Sequence, residues 1–526
     1  MALLRQVGTI GSLTMVSRIA GMAREMIFAR VLGANDVTDA WFQAFILPNV
    51  FRRLFAEGAF SAAFVPMFSK RLNGTAGEGD GLESARSFSN DVLSVFLPVL
   101  IGLTAIFEIA MPGVIWLLAD QPAGATQFAF PLDFARIMFP YILLVSLVTL
   151  FTGMLNSVSR FAPGASFPII LNLVLMAALL GAESALPGEG NVVRVGYVIA
   201  YAVPFAGALQ LGWLYFWLRR AGFRPRLMRP RLTPEVKRLG IIALPAAIGG
   251  GAYQINTLVQ LYFLNQLEGG AVSFMNYADR LNQLPLGIIG IALSTAILPA
   301  LSKFVGAKNH EGASRIQSDA IELGMLLTLP ATIALAVCGT AFVTMIFQGG
   351  RFELADAAAT GQVLTMLVMG LPAYVLVKVL VPNFYARSDT RTPVYAALCA
   401  LIVFVAFNIV FLDTYGVPGV AAASAIGAWL NAGVLYVVLV RRDYYRASLP
   451  MLGRVARQLV AAALMGAALF YAQGMLTGFY AAGIAARLFA LAALIACAVI
   501  VYFGAAFALG AIDRERMTRL ISKKAP

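Results

Sequence analysis

The sequence predicts an all-α protein that crosses a membrane many times, and three observations predict it. Of 526 residues, 60% are hydrophobic and only 12% charged, against about 45–50% and about 25% in a soluble domain. Apolar stretches of about 18 residues or more recur from end to end. Turn residues and charges collect between them. No soluble core hides that much apolar surface, so soluble enzymes, secreted scaffolds and disordered chains are excluded.

Fourteen spans can be drawn: 8–32, 38–69, 91–118, 131–158, 164–182, 194–218, 239–266, 271–302, 319–347, 358–386, 394–412, 417–440, 457–474 and 484–510. The first, in MALLRQVGTIGSLTMVSRIAG, opens like a signal peptide with a basic residue before an apolar run. It carries Arg18 and Arg24 and outruns the usual apolar core of such a peptide, so it reads as an uncleaved span. Prolines interrupt several others, at Pro48, Pro66, Pro140, Pro245, Pro285, Pro299, Pro372 and Pro382, and Gly249, Gly250 and Gly251 run together in span 7. Most of these are kinks that neighbouring helices re-satisfy. The hinge candidates are the triple glycine and Pro285.

An even number of spans leaves both termini on one side, and the basic residues say which. Of the 39 Lys and Arg, 28 fall in the termini and loops on the side of residue 1, and two, Arg194 and Arg351, in the opposite loops. Cytoplasmic loops collect Lys and Arg, so both termini are expected in the cytoplasm. The stretch LRRAGFRPRLMRPRLTPEVKR, with eight basic residues from Arg219 to Arg238, is the largest linker. It reads as a topology signal touching anionic lipid. The division that follows is a first lobe over 1–218 (spans 1–6), a basic linker over 219–238, and a second lobe over 239–440 (spans 7–12). Spans 13–14 and a cytoplasmic tail fill 441–526.

A net charge of +13 invites a nucleic-acid partner, but that requires a basic face on a folded domain, and here the basic residues sit in short loops. No nucleic-acid partner is expected. Cys338, Cys399 and Cys497 all lie in apolar segments and His310 is the single histidine, so neither a disulfide framework nor a metal site is expected.

An internal repeat supports the division. AFSAAFVPMFSK, Ala59 to Lys70, matches ALSTAILPALSK, Ala292 to Lys303, at six of twelve positions with an offset of 233. Asn49 and Asn282 share that offset, Pro140 and Pro372 are 232 apart, and Pro163 and Pro393 are 230 apart. Both matched segments leave the membrane on the cytoplasmic side, so the halves are expected to be parallel repeats, an arrangement that places a substrate site between them. Spans 13 and 14 lie outside the repeat.

An ionisable residue within a span faces the bundle interior or a wet cavity. The basic ones are Arg18, Arg24, Arg30, Arg52, Arg53, Arg136, Arg280 and Lys378, with Arg487 near an end. Their carboxylate neighbours are Glu25, Asp39, Glu57, Glu108, Asp133, Asp279 and Glu322. Thr14, Arg18, Gly21 and Glu25 form a polar stripe on span 1 with Arg24 on its flank. Asn49, Arg53 and Glu57 form a second stripe, with Arg52 about a quarter turn away. Arg53 with Glu57, and Asp133 with Arg136, are spaced for local ion pairs, while Arg30 is placed to snorkel. Arg18, Arg24, Arg52 and Arg280 have no such complete set of partners. Arg52 falls near the middle of span 2, and Arg280 about 13 Å inside the outer end of span 8. Two readings stand for them: a cationic cavity that receives a phosphorylated anion, for which arginine's fork is suited, or ion pairs that hold the bundle together. Lys378 is either a ligand contact or a gate.

The stretches SRIAGMAREMIFARVLGA, TDAWFQAFILPNVFRRLFAEGAFSAAFVP, YADRL and PNFYARSDTRTP resemble the MurJ (MviN) lipid II flippases of the multidrug/oligosaccharidyl-lipid/polysaccharide exporter superfamily. The resemblance covers the whole chain. It implies two six-helix lobes around a cavity, with spans 13 and 14 adding a groove for a lipid tail. The implied substrate is undecaprenyl-pyrophosphoryl-MurNAc-pentapeptide-GlcNAc, carried to the outer leaflet of the bacterial inner membrane for cell-wall synthesis. The implied site residues are Arg18, Arg24, Arg52, Arg53, Arg280 and Lys378, with Asp39 and Asp279 among the acids, and Arg24, Arg52 and Arg280 as pyrophosphate ligands. Gln283 departs from the glutamate that several members carry there. The expected protein is a monomer without a cofactor, whose partners are lipid II, membrane lipids and proteins of peptidoglycan synthesis, and whose export is helped by the membrane potential. A cation-coupled drug or polysaccharide-lipid exporter of the same superfamily is the alternative, but a drug antiporter wants an acidic cavity. A membrane transferase would need clustered carboxylates for a hydrated metal, and Glu78, Asp80 and Glu83 are isolated in a glycine-rich loop.

Overall fold

The computed structural model describes residues 2–52, 60–74, 81–119, 126–186, 188–480 and 483–511. Arg53, Glu57, Glu78, Asp80 and the basic tail beyond Ala511 lie outside the described residues. Helices dominate, and β pairing among the described residues is one bridge, Gly349 with Phe352. The chain forms two compact units, Met1–Ser273 with Gly349–Phe352, and Phe274–Gln348 with Glu353–Pro526.

The first unit runs α1 (Ala2–Leu32), α2 (Asp36–Arg52), α3 (Phe60–Leu72), α4 (Gly81–Ala119), α5 (Thr126–Met138), α6 (Tyr141–Ser157), α7 (Phe161–Ala185), α8 (Val192–Arg220) and α9 (Pro234–Leu264). Asn35 starts α2 by accepting the amides of Val37 and Thr38 at 3.1 and 3.2 Å, the work of a helix N-cap. A core of Phe64, Phe68, Phe88, Val148, Leu155, Leu218 and Phe223 joins α3, α4, α6 and α8. The linker of the sequence reading does not part this unit from span 7. Its backbone is strapped to α4, with Arg86 donating to the Gly222 carbonyl at 2.7 Å and the Met228 amide to Ser94 at 2.8 Å. Beyond it α9 packs on α3 and α4, aided by Arg71 with Glu235 at 3.5 Å.

The second unit continues from the first turn of α10 (Ala271–Pro285) through α11 (Ile291–Gly306), α12 (His310–Val337), α13 (Gly339–Phe347), α14 (Leu354–Val368), α15 (Leu371–Tyr385), α16 (Arg391–Arg441), α17 (Leu449–Met475), a short α18 (Thr477–Tyr480) and α19 (Ile484–Ala508). Spans 13 and 14, α17 and α19, pack on α12 and α13 through Cys338, Phe342, Met465, Leu469, Leu494 and Tyr502.

The repeat is visible as matched local geometry. Pro140 is the N-cap of α6 and Pro372 the second residue of α15, so both equivalent spans break at the paired proline. Pro163 and Pro393 are each the third residue of their helix, where a missing N–H is harmless. Lys70 and Lys303 each lie in a last turn.

Among the described residues ten helices are long and apolar enough to cross a membrane. Breaks divide several further. At 51 residues α16 would be about 76 Å long if straight, against a hydrocarbon core of about 30 Å. It carries non-helical angles at Gly416 (φ 55°, ψ −141°), a region open essentially to glycine alone, and so holds two spans. Ile109, Ile409 and Ile500 point outward, as side chains that meet lipid should.

At the turn before α16, Asp389 accepts the amides of Arg391 and Thr392 at 3.1 and 3.0 Å, the Thr392 hydroxyl at 2.6 Å and Arg442 at 2.6 Å. Burial alone would raise its carboxyl, but these donors outweigh it and hold the pKa down at about 2. Its contribution to stability is therefore complete above the ordinary value near 3.8 and lost as pH falls through 2. Asp389→Ala should destabilise the purified protein by about 1–2 kcal/mol at pH 7. In thermal unfolding the gap to the wild type should stay constant down to pH 4 and narrow below it.

Candidate functional site

The polar stripe of span 1 is folded into α1, and its members meet different surroundings. Arg18 is half-buried and Thr14 exposed, its hydroxyl turned back onto the Ile10 carbonyl at 2.8 Å. Helix α7 lies against this face: Asn172 donates to the Ser17 carbonyl at 3.2 Å. Arg24 is not an open flank residue. It is 6% exposed and forms an ion pair with Glu25, itself 1% exposed. Two charges taken from water together neutralise one another, whereas either alone would leave a buried charge uncompensated.

Arg52 is half-buried at the end of α2, and its Nε donates to Asn49 Oδ1 at 3.2 Å. The stripe read as Asn49–Arg53–Glu57 therefore gives its asparagine to Arg52, and its other two members lie outside the described residues.

Asp39 was expected as a cavity acid, and the structure uses it as a cap. Its carboxylate accepts the amides of Gly270 and Ser273, each at 2.8 Å, of Val272 at 3.3 Å, and the Ser273 hydroxyl. These are the free donors at the start of α10, where a helix N-terminus favours negative charge. The signal was present in the sequence only as a glycine pair and a serine before YADRL, without any indication of what would reach them.

In the second unit Asp279 turns to the side chains that follow it along the helix. It accepts the side-chain amides of Gln283 and, at 3.4 Å, Asn282. Gln283 thus donates to the carboxylate four positions before it. Arg280 is half-buried and Lys378, deep in α15, is exposed. After Pro285 the chain makes a π-helical turn, Leu286–Gly290, and the Lys378 stem lies against it: a Cβ on Gly290 would sit 2.9 Å from Lys378 Cδ. Spans 8 and 10 therefore meet at the irregular turn that Pro285 introduces. Gly249, Gly250 and Gly251 lie within the continuous α9.

Three pairings were not legible in the sequence. Asp133 receives the Tyr197 hydroxyl at 2.6 Å. Glu322 is held by Arg454 at 2.8 Å, joining α12 to α17. Arg487 donates to the carbonyls of Tyr480 and Gln348, both at 2.8 Å.

Cationic side chains at intermediate depth on apolar helices, in two units built from matching local geometry, define a multi-pass membrane protein. Solved structures agree on the fold. One described as lipid II flippase MurJ, inward closed conformation, is similar with a TM-score of 0.75 and 20% identity, covering 94% of this chain and 97% of that one. An inward-facing MATE-family multidrug transporter of the MOP superfamily gives 0.66 and 15%, covering 82% and 97%. The family is fixed by sequence: the model described as lipid II flippase MurJ matches residues 28–491, and the chain belongs to that family. A probable lipid II flippase MurJ of Rhizobium meliloti is 40% identical over 100% of this chain and 97% of its own length. The lipid II flippase MurJ of Burkholderia cenocepacia is 35% identical over 90% of each.

The two acid environments separate stability from transport. Glu25→Gln removes the charge that neutralises buried Arg24 and should destabilise the protein by about 3–5 kcal/mol, seen as lost abundance in membranes. Asp279 is held by neutral amides, so Asp279→Asn should leave abundance intact and change only substrate handling. A collapse in the level of the second variant would count against this division.

Proposed function

We propose that this protein moves lipid II, undecaprenyl-pyrophosphoryl-MurNAc-pentapeptide-GlcNAc, from the inner to the outer leaflet of a bacterial inner membrane, as a transporter and not a catalyst. The observation that carries the site reading is the set of cations with solvent access on apolar helices: Arg18 and Arg52 in the first unit, Arg280 and Lys378 in the second. Half-buried guanidinium groups present a planar fork that matches a ligand with paired anionic oxygens, and a pyrophosphate supplies them. Arg24 joins the ligand set once the anionic ligand displaces Glu25 from it. Arg53 adds to the set from span 2.

In this reading Pro285 and Gly249–Gly251 are the hinges of the transport motion. Segment 441–526 holds the polyprenyl tail, fourteen spans place both termini in the cytoplasm, and the protein acts as a monomer that passes substrate to peptidoglycan synthesis. An anion leaving a negative interior gains from the membrane potential. At about 2.3 kcal/mol per charge per 100 mV, a pyrophosphate with two uncompensated charges gains on the order of 4–5 kcal/mol, with no cofactor required.

Acute depletion of the protein should leave chemically unaltered lipid II on the inner leaflet and remove it from the outer one. Altered lipid would mean catalysis instead. Arg52→Lys, which keeps charge but loses the fork, should insert normally and transport poorly; full activity of the Lys variants of Arg24, Arg52 and Arg280 would reduce the site to a charge requirement. Collapsing the potential at constant pH should slow outer-leaflet exposure, while collapsing the pH gradient alone should not. Unchanged export without potential would overturn the electrophoretic part.

A further inference from the structure

Arg351 is one of only two basic residues that the sequence places in the outer loops, and nothing in the transport reading uses it. The structure shows where it goes. Gly349 and Phe352 exchange two backbone hydrogen bonds at 3.1 Å, closing a tight turn with Gly350 (φ 56°) at its first central position and Arg351 beside it at the tip. Phe352 is fully buried. This four-residue turn is counted with the first unit although its flanking residues belong to the second.

The tip lies on the C-terminal end of α1. The Arg351 amide donates to the Arg30 carbonyl at 2.8 Å, and the guanidinium donates to the Val31 carbonyl at 2.6 Å. The same guanidinium reaches the connection between α7 and α8, at the Asn191 side-chain oxygen (2.6 Å) and the Gly188 carbonyl (3.4 Å). The approach is backbone against backbone: a Cβ on Gly33 (φ 76°) would stand 2.7 Å from the Arg351 carbonyl, and one on Gly350 would collide with the Arg30 carbonyl. Carbonyls in the last turn of a helix have no partner within it and carry the negative end of its dipole. A cation there is favoured, which accounts for an arginine on the side of the membrane where basic residues are few.

We propose that Arg351 is a positioning residue: as a cap supplied from more than 300 residues away, it fixes the outer end of α1 against the α7–α8 connection and so holds the helix that presents Arg18 and Arg24. The transport consequence rests on the proposed lipid II function; the capping does not. Lysine retains the charge but gathers its donors on one nitrogen, whereas Arg351 reaches Val31 from Nη1 and Gly188 and Asn191 from Nη2.

Hydrogen exchange on the full-length protein in nanodiscs tests the cap, and lipid II exposure in cells tests its consequence. Arg351→Ala and Arg351→Lys should each speed exchange of the amides over 30–35 and 188–193 by about five- to tenfold, leaving those over 449–475 unchanged. Both variants should lower outer-leaflet lipid II severalfold at equal abundance. Gly350→Ala, which displaces the turn with Arg351 present, should reproduce both effects. Unchanged exchange overturns the proposal, and so does faster exchange with full transport. If the wild type itself moves no lipid II, the proposed function falls, and the exchange comparison alone decides whether Arg351 holds α1.

Discussion

A charge inside hydrocarbon must be answered by another charge or by well-placed dipoles, and the arrangement of this protein follows from how each ionisable group meets that demand. Glu25 answers Arg24 from the next residue along one helix. Glu322 takes Arg454 across two helices, and Asp39 is answered by the amides and hydroxyl at the start of α10. Asp279 is held by neutral side-chain amides, a weaker answer that leaves its charge available. Lys378, exposed along α15, stands at the other extreme from the buried Arg24.

Helix interruptions form a second layer of the same economy. A break frees backbone groups that water cannot reach, so breaks occur where a proline has already removed a donor or another element supplies a partner. The matched breaks at Pro140 and Pro372 show the two halves solving this alike. Pro285 has no proline partner at the repeat offset, which falls on Arg52, and Lys378 lies against the π-helical turn that follows it.

The sequence makes the helices legible because apolar length and proline position are local properties. Each of the fourteen drawn segments overlaps described helix, and the paired prolines fall at equivalent places in their helices. Partnerships across long separations were not legible. Arg454 read as a cytoplasmic loop residue because nothing near it in sequence reveals Glu322, 132 residues away. Asp39 read as a cavity acid because an acidic residue near a span end looks the same whether it faces a ligand or caps a distant helix. Asp279 stands beside Arg280 in sequence as Glu25 stands beside Arg24, yet it takes Gln283 at position i+4 where Glu25 takes its neighbour. The grouping of α9 with the first unit was hidden for a related reason: a basic linker looks like a boundary whether its backbone is free or strapped to α4.

The break at Gly416 bears on how the protein is made. Two apolar spans joined through Asp413, Thr414, Tyr415 and Gly416 have only a short polar connection between them, so they are suited to enter the bilayer together as a helical hairpin. Because the conformation at Gly416 is open essentially to glycine alone, a substitution there would strain the one connection on which that joint entry depends.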